Sequence, residues 1–113
     1  MMLKEVVDRL HLTVRCAGNQ LDQVVTGGYA GDLLSDVIAN SKAGNVWITM
    51  QIHPNIVAVA VLKELAGIII VHGRQPAEDT LKRGGEEKVP IFVSDLPAFE
   101  TIGRLYSLID GSS

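Results

Sequence analysis

The chain has 113 residues, 47% of them hydrophobic and 20% charged, with a formal net charge of −3. That length suits one domain with one core, and that composition excludes a disordered or low-complexity chain. The ten basic residues are scattered, so no phosphate-binding face is visible and nucleic acid is not an expected partner.

The opening Met1-Met2-Leu3-Lys4-Glu5 lacks the basic start, apolar run and cleavage site of a secretory signal, so no export is expected. Leu3, Val6, Val7 and Leu10 recur at spacings of three and four, which predicts a short amphipathic helix over 3–10. Residues 11–16 alternate apolar and polar and predict a strand. After the turn residues Gly18-Asn19, residues 21–26 read as a second strand that would pair with the first. Cys16 is the single cysteine, so no internal disulfide forms and no CxxC pair offers itself to zinc. A cytoplasmic, reducing setting fits, with Cys16 as a small buried apolar residue. Gly27-Gly28 breaks the second strand, and Asp32 is placed to cap a helix carrying Leu33, Leu34, Val37 and Ile38 on one side.

Residues 46–52 alternate, with Val46, Ile48, Met50 and Ile52 on one face and Trp47, Thr49 and Gln51 on the other, which predicts a strand. Residues 56–65 are apolar on every side, so periodicity alone allows a buried helix or a hairpin. Pro54 suits a first helical turn, Asn55 can cap it, and Lys63-Glu64-Leu65 before Gly67 favour the helix. The whole apolar stretch, 56–71, is 16 residues long and is interrupted by Lys63 and Glu64. It falls short of the roughly 20 residues that cross a bilayer, so no membrane is expected. Residues 67–72 are the β-branched run of a strand buried on both faces of a parallel sheet. Pro76 opens a helix with Glu78 and Asp79 at its positive end, Lys82 and Arg83 at its negative end and Gly84-Gly85 after it. Residues 89–94 form a last strand. Residues 96–109 form a helix capped by Asp95, with Phe99, Ile102, Leu105, Tyr106 and Ile109 on one stripe. Alternating strands and helices from Val46 onward imply right-handed crossovers. The fold class is therefore α/β, a single domain over 1–113 with a mainly parallel sheet and helices on its faces. A mean hydropathy of +0.24 is high for so small a domain and predicts that a second copy covers some apolar surface, as a homodimer.

Ligands of open α/β sheets bind beyond the carboxyl ends of the parallel strands. Three loops meet there: Gln51 to Asn55, His72 to Pro76, and Ser94 to Pro97, with Gly27-Gly28-Tyr29 as a fourth wall. His53 and His72 fall at strand ends, with Arg74 close by, so the loops can hold an anionic or phosphorylated molecule. Alternatively each histidine packs against its own helix start. Gln51 and Thr49 either line this pocket or face a covering helix. Two histidines are too few for zinc, and Asp95 and Cys16 have no diagnostic spacing, so no metal is expected. The GxGxxG and GxxxxGK[ST] patterns are absent, which leaves no cofactor motif. Ser35-Asp36 and Ser94-Asp95 set a hydroxyl beside a carboxylate without a GxSxG elbow or a positioned base, so helix face and helix cap account for them.

The run VWITMQIHPNIVAVAVLKELAGIIIVHGRQPAEDTL, followed by VPIFVSDLPAFETIGRLY, resembles the DRTGG domain, a family related to the N-terminal domain of HPr kinase/phosphorylase. The resemblance covers nearly the whole chain and implies a compact α/β layer that often dimerises, with a helix after the His53 position. Its members occur fused to phosphotransacetylase, beside CBS domains in certain pyrophosphatases, or free-standing. They are regarded as regulatory or ligand-binding, without defined activity. The family's Asp-Arg and Thr-Gly-Gly signature falls at His53-Pro54 and Val71-His72-Gly73, where only Gly73 matches.

Together these observations point to a non-catalytic, cytoplasmic, homodimeric module. It is expected to bind a small anionic metabolite or nucleotide around Gln51, His53, Asn55, His72, Gly73, Arg74, Ser94 and Asp95. A protein-interaction subunit docking onto a metabolic or redox enzyme is the alternative. A hydrolase or transferase using His53 or His72 as general base is the third reading.

Overall fold

The apolar runs of the second half become the middle of a five-stranded sheet in a computed structural model that describes residues 1–111. Its strands are β1 (Thr13–Cys16), β2 (Gly27–Ala30), β3 (Asn45–Thr49), β4 (Gly67–Ile70) and β5 (Ile91–Val93), in the order β1-β5-β4-β3-β2. Strands β2 to β5 run parallel and β1 is antiparallel to β5. Every residue of β3, β4 and β5 is buried. Such strands need cover on both faces, and five helices supply it.

The helices are α1 (Leu3–Arg9), α2 (Leu34–Asn40), α3 (Asn55–Lys63), α4 (Glu78–Glu86) and α5 (Ala98–Asp110). Each step from β2 to β5 moves one strand along in the same direction, so right-handed crossovers lay α2, α3 and α4 on one face. There Val37, Ile56, Val57 and Val59 pack with Trp47, Ile68 and Ile70 of the sheet. Helices α1 and α5 cover the other face, where Leu3, Val6, Leu105 and Leu108 meet Val46, Ile48, Ile69 and Phe92. The period of two within β3 sends Trp47 to the first cluster and Val46 and Ile48 to the second.

Several expectations are corrected. Residues 21–26 do not form a strand beside β1. Their backbone is taken by the N-terminus, with Leu3 N–H donating to the Gln23 carbonyl (2.8 Å), Lys4 N–H to Leu21 (3.1 Å) and Val25 N–H to Met1 (2.7 Å). The second strand is instead Gly27–Ala30, read above as a break, and its small residues leave room for α5. A Cβ on Gly28 would stand 3.1 Å from the Leu105 side chain. Strand β3 ends at Thr49, before Met50, Gln51 and Ile52. Position for position, the helix caps also differ. Leu33, not Asp32, is the N-cap of α2; Pro54, not Asn55, that of α3; Pro97, not Asp95, that of α5. Helix α4 begins at Glu78, after Ala77 rather than at Pro76, and Gly84-Gly85 lie inside it. The expected apolar stripe of α5 is split: Thr101, Leu105 and Leu108 are buried, whereas Phe99, Ile102 and Tyr106 are exposed.

Cys16 is half-buried between α4 and the sheet, and its Sγ–H lies 3.4 Å from the Val89 carbonyl oxygen. Burial pushes its thiol above the ordinary cysteine value, against the opposing pull of a backbone hydrogen bond and of Arg15. The thiolate is the reacting species, so alkylation of the folded protein near neutral pH is expected to run several-fold slower than that of free cysteine. The two rates should converge in denaturant; equal rates in the native state would contradict this placement.

Candidate functional site

Strands β4 and β5 are neighbours, but the loops that follow them leave for opposite faces of the sheet, to α4 and α5. Such a divergence commonly opens a crevice for ligands. Here it is stitched shut. His72 N–H donates to the Leu96 carbonyl (2.9 Å) and Gly73 N–H to that of Ser94 (2.8 Å). Both residues adopt φ of +63°, which turns their N–H groups toward the neighbouring loop. Glycine holds that conformation freely, whereas His72 accepts a cost of about 1 kcal/mol. The backbone donors that an anion would use at this turn are already engaged.

Side chains complete the arrangement. Arg74 is exposed and its Nε–H donates to the Met50 carbonyl (3.0 Å), tying the loop after β4 to the loop after β3. Gln51 Nε2–H donates to the Asp32 carbonyl (2.8 Å). The Ser94 hydroxyl is buried against that of Thr101, 2.9 Å away, and accepts from Leu96 N–H at 3.3 Å. It fixes the start of α5. His53, Asn55, His72 and Asp95 are exposed, and no side-chain hydrogen bond joins them among the described residues. The sequence-predicted residues thus divide. His72, Gly73, Ser94 and Asp95 lie on two bonded loops, Arg74 and Gln51 are drawn toward β3 and Asp32, and His53 and Asn55 sit at the start of α3.

Open space lies one strand further out, between the carboxyl ends of β2 and β3 and helix α5. A cavity of about 240 Å³ there is lined by Ala30, Asp32, Thr49, Met50, Val71 and Ile102, among others. An adjoining cavity of about 350 Å³ is lined by Gly28, Tyr29, Leu105 and Tyr106 and shares Ala30, Ile48 and Ile102 with the first. Asp32 holds the rim. Its Oδ1 accepts from the buried Thr49 hydroxyl (2.8 Å) and from Met50 N–H (2.7 Å). Behind β2, the Tyr29 hydroxyl donates to Asp36 Oδ2 (2.5 Å), and Asn40 Nδ2–H donates to Asp36 Oδ1 (2.9 Å). Donation to that carboxylate pushes the Tyr29 hydroxyl above the ordinary tyrosine range. Gly27-Gly28-Tyr29, expected as a wall of the strand-end loops, line a cavity against α5 instead. Asp32 and Ile102 were not expected as cavity residues, because each depends on what lies across from it.

Among the described residues, no three His, Cys, Asp or Glu side chains gather where they could hold a metal ion. Among the described residues no helix is long and apolar enough to cross a membrane.

No family model matches the sequence, and no match was found among the curated proteins. The structure is similar to the crystal structure of the CBS and DRTGG domains of the regulatory region of Clostridium perfringens pyrophosphatase, complexed with activator, diadenosine tetraphosphate. The TM-score is 0.65 at 12% sequence identity, over 97% of this chain and 49% of that one, so the chain spans about half the length of its neighbour. At that identity the likeness shows a shared α/β fold, here a mainly parallel sheet covered by helices on both faces.

Proposed function

We propose that the protein is a non-catalytic regulatory module that binds a small anionic metabolite or nucleotide at the carboxyl ends of β2 and β3. The apolar part of the ligand occupies the cleft beside Ala30, Ile48 and Ile102. Its anionic part reaches out past Asp32 to Arg74, with the exposed His72, His53 and Asn55 on the neighbouring strand-end loops. The observation that carries this reading is the juxtaposition of an apolar cleft with a guanidinium: Met50 lines the cleft, and its carbonyl holds Arg74. An apolar body and a few placed polar groups are the usual composition of a small-molecule site. The fold shared with a regulatory region that was crystallised with a nucleotide supports the same reading. The hydroxyls support a non-catalytic reading: among the described residues those of Ser94 and Thr49 are engaged by Thr101 and Asp32, and neither is paired with an imidazole.

Titration calorimetry and thermal melting with diadenosine tetraphosphate, ATP, AMP and inorganic phosphate test this reading. At least one nucleotide is expected to bind saturably, and at one hundred times its Kd to stabilise the fold by about 2.7 kcal/mol. Arg74→Ala should weaken that binding about tenfold by removing a charge-assisted contact. Ala30→Leu, which fills both cavities, should abolish it. A flat response to all four compounds, or binding indifferent to both substitutions, would overturn the assignment.

A further inference from the structure

Helix α5 is apolar on two sides. Thr101, Leu105 and Leu108 enter the core, while Phe99 (86% exposed), Tyr106 (69%) and Ile102 (38%) stand in solvent. At about 3.6 residues per turn, Phe99, Gly103 and Tyr106 fall along one line pointing away from the sheet. Gly103 lies in the middle of that line and in the interior of the helix, where glycine weakens a helix relative to alanine. Among the described residues nothing requires it, because a Cβ at this position would meet no atom within 4 Å. A notch between two projecting rings is what a closely approaching second helix needs. Alongside it, a groove of about 880 Å³ runs from α5 to Arg9 and Leu10 at the end of α1.

The charges on α5 select the occupant. Glu100 and Arg104 are exposed one turn apart, on the same flank of the line. When two identical helices pair antiparallel about a two-fold axis, like flanks meet, and positions equidistant from the axis come together. An axis passing near Ile102 and Gly103 sets Phe99 against Tyr106 of the second copy and Glu100 against Arg104 of the second copy, each contact occurring twice. A parallel pairing would instead turn the charged flank toward Ile102 and Ile109. The pattern is self-complementary in one orientation only.

We propose that the outward face of α5 is a homodimer interface, formed by antiparallel pairing of α5 with α5 of a second copy around Gly103. This pairing requires no ligand; Ile102 and Tyr106 also border the cleft, whereas Glu100 and Arg104 lie outside it, so charge exchanges there test the pairing separately from ligand binding. Sedimentation equilibrium of the full chain is expected to show a monomer–dimer system. Glu100→Arg alone, or Arg104→Glu alone, should raise the dimer dissociation constant at least about tenfold through like-charge contacts. The double exchange Glu100→Arg with Arg104→Glu should restore it. Phe99→Ser should dissociate the dimer while leaving the melting profile of a folded domain, since that ring is outside the core. A monomeric wild type at high concentration, a dimer that survives Phe99→Ser, or a double exchange as weak as the single changes would each overturn the proposal.

Discussion

Trp47→Ala is expected to remove about 3–5 kcal/mol of stability, a large part of the margin of a domain this size. Trp47 is fully buried at the centre of the cluster that joins α2 and α3 to the sheet, so its removal leaves a cavity that the rigid strands on either side cannot close. A second loss accompanies the first. The indole Nε1–H donates to the Gly31 carbonyl at 2.9 Å, and that carbonyl loses its partner. Trp47→Phe, which retains most of the volume but not the donor, should cost clearly less. Urea denaturation followed by circular dichroism measures both, and a loss below about 1 kcal/mol for the alanine variant would contradict this packing. Because Gly31 immediately precedes Asp32, the rim of the β2–β3 cleft should loosen as well.

Gly84→Ala should destabilise the protein although alanine is the better helix former. Its Cβ would stand 2.8 Å from Cys16 Sγ, 3.0 Å from Ile91 Cδ1 and 3.3 Å from the Val89 carbonyl oxygen. The first two atoms belong to strands, the third is backbone, and none can yield cheaply. An overpacking cost of about 1–3 kcal/mol is expected, more than the roughly 1 kcal/mol that alanine contributes to a helix interior. Gly85 next to it is the control. A Cβ there meets nothing within 4 Å, so Gly85→Ala should raise stability by about 0.5–1 kcal/mol. Opposite signs at adjacent positions of one helix would be read directly from two melting curves. Like signs would exclude the close contact between α4 and β1.

The same pair shows why parts of the fold were legible and others were not. From Val46 onward, continuous apolar runs alternate with segments bearing proline, acidic starts and basic ends, and local chemistry decided each element. Gly84-Gly85 carries the local signal of a helix end, yet α4 continues through it to Glu86, and the glycine at 84 serves the close approach of Cys16 and Ile91. Strand β2 was missed for a related reason: Gly27–Ala30 contains no strong strand former and owes its state to pairing with β3. Residues 21–26 have strand-like alternation, but the N-terminal residues bind their backbone first. In α5 the periodicity marks an apolar stripe without saying which of two stripes faces inward. The polar Thr101 belongs to the inner one because the Ser94 hydroxyl waits for it there.

The candidate site divides along the same boundary. Strand-end placement of His53, His72, Arg74 and Ser94 follows from the order of elements alone. The direction of the His72 and Gly73 N–H groups follows from left-handed backbone and from Leu96 and Ser94 across the gap. No short-range pattern encodes that. Asp32 looks like a helix cap in sequence, and its carboxylate is spent instead on Thr49 and Met50, some seventeen positions away.

The pairing of β1 with β5 bears on the order in which the molecule assembles. Thr13 finds Val93 about 80 positions along the chain, whereas β2 to β5 are linked by successive short crossovers. Closing the longer loop carries the greater entropic penalty, and its reward arrives only once β5 is seated. Strand β1 is therefore expected to be the latecomer of the sheet, docking after the three crossover units have gathered.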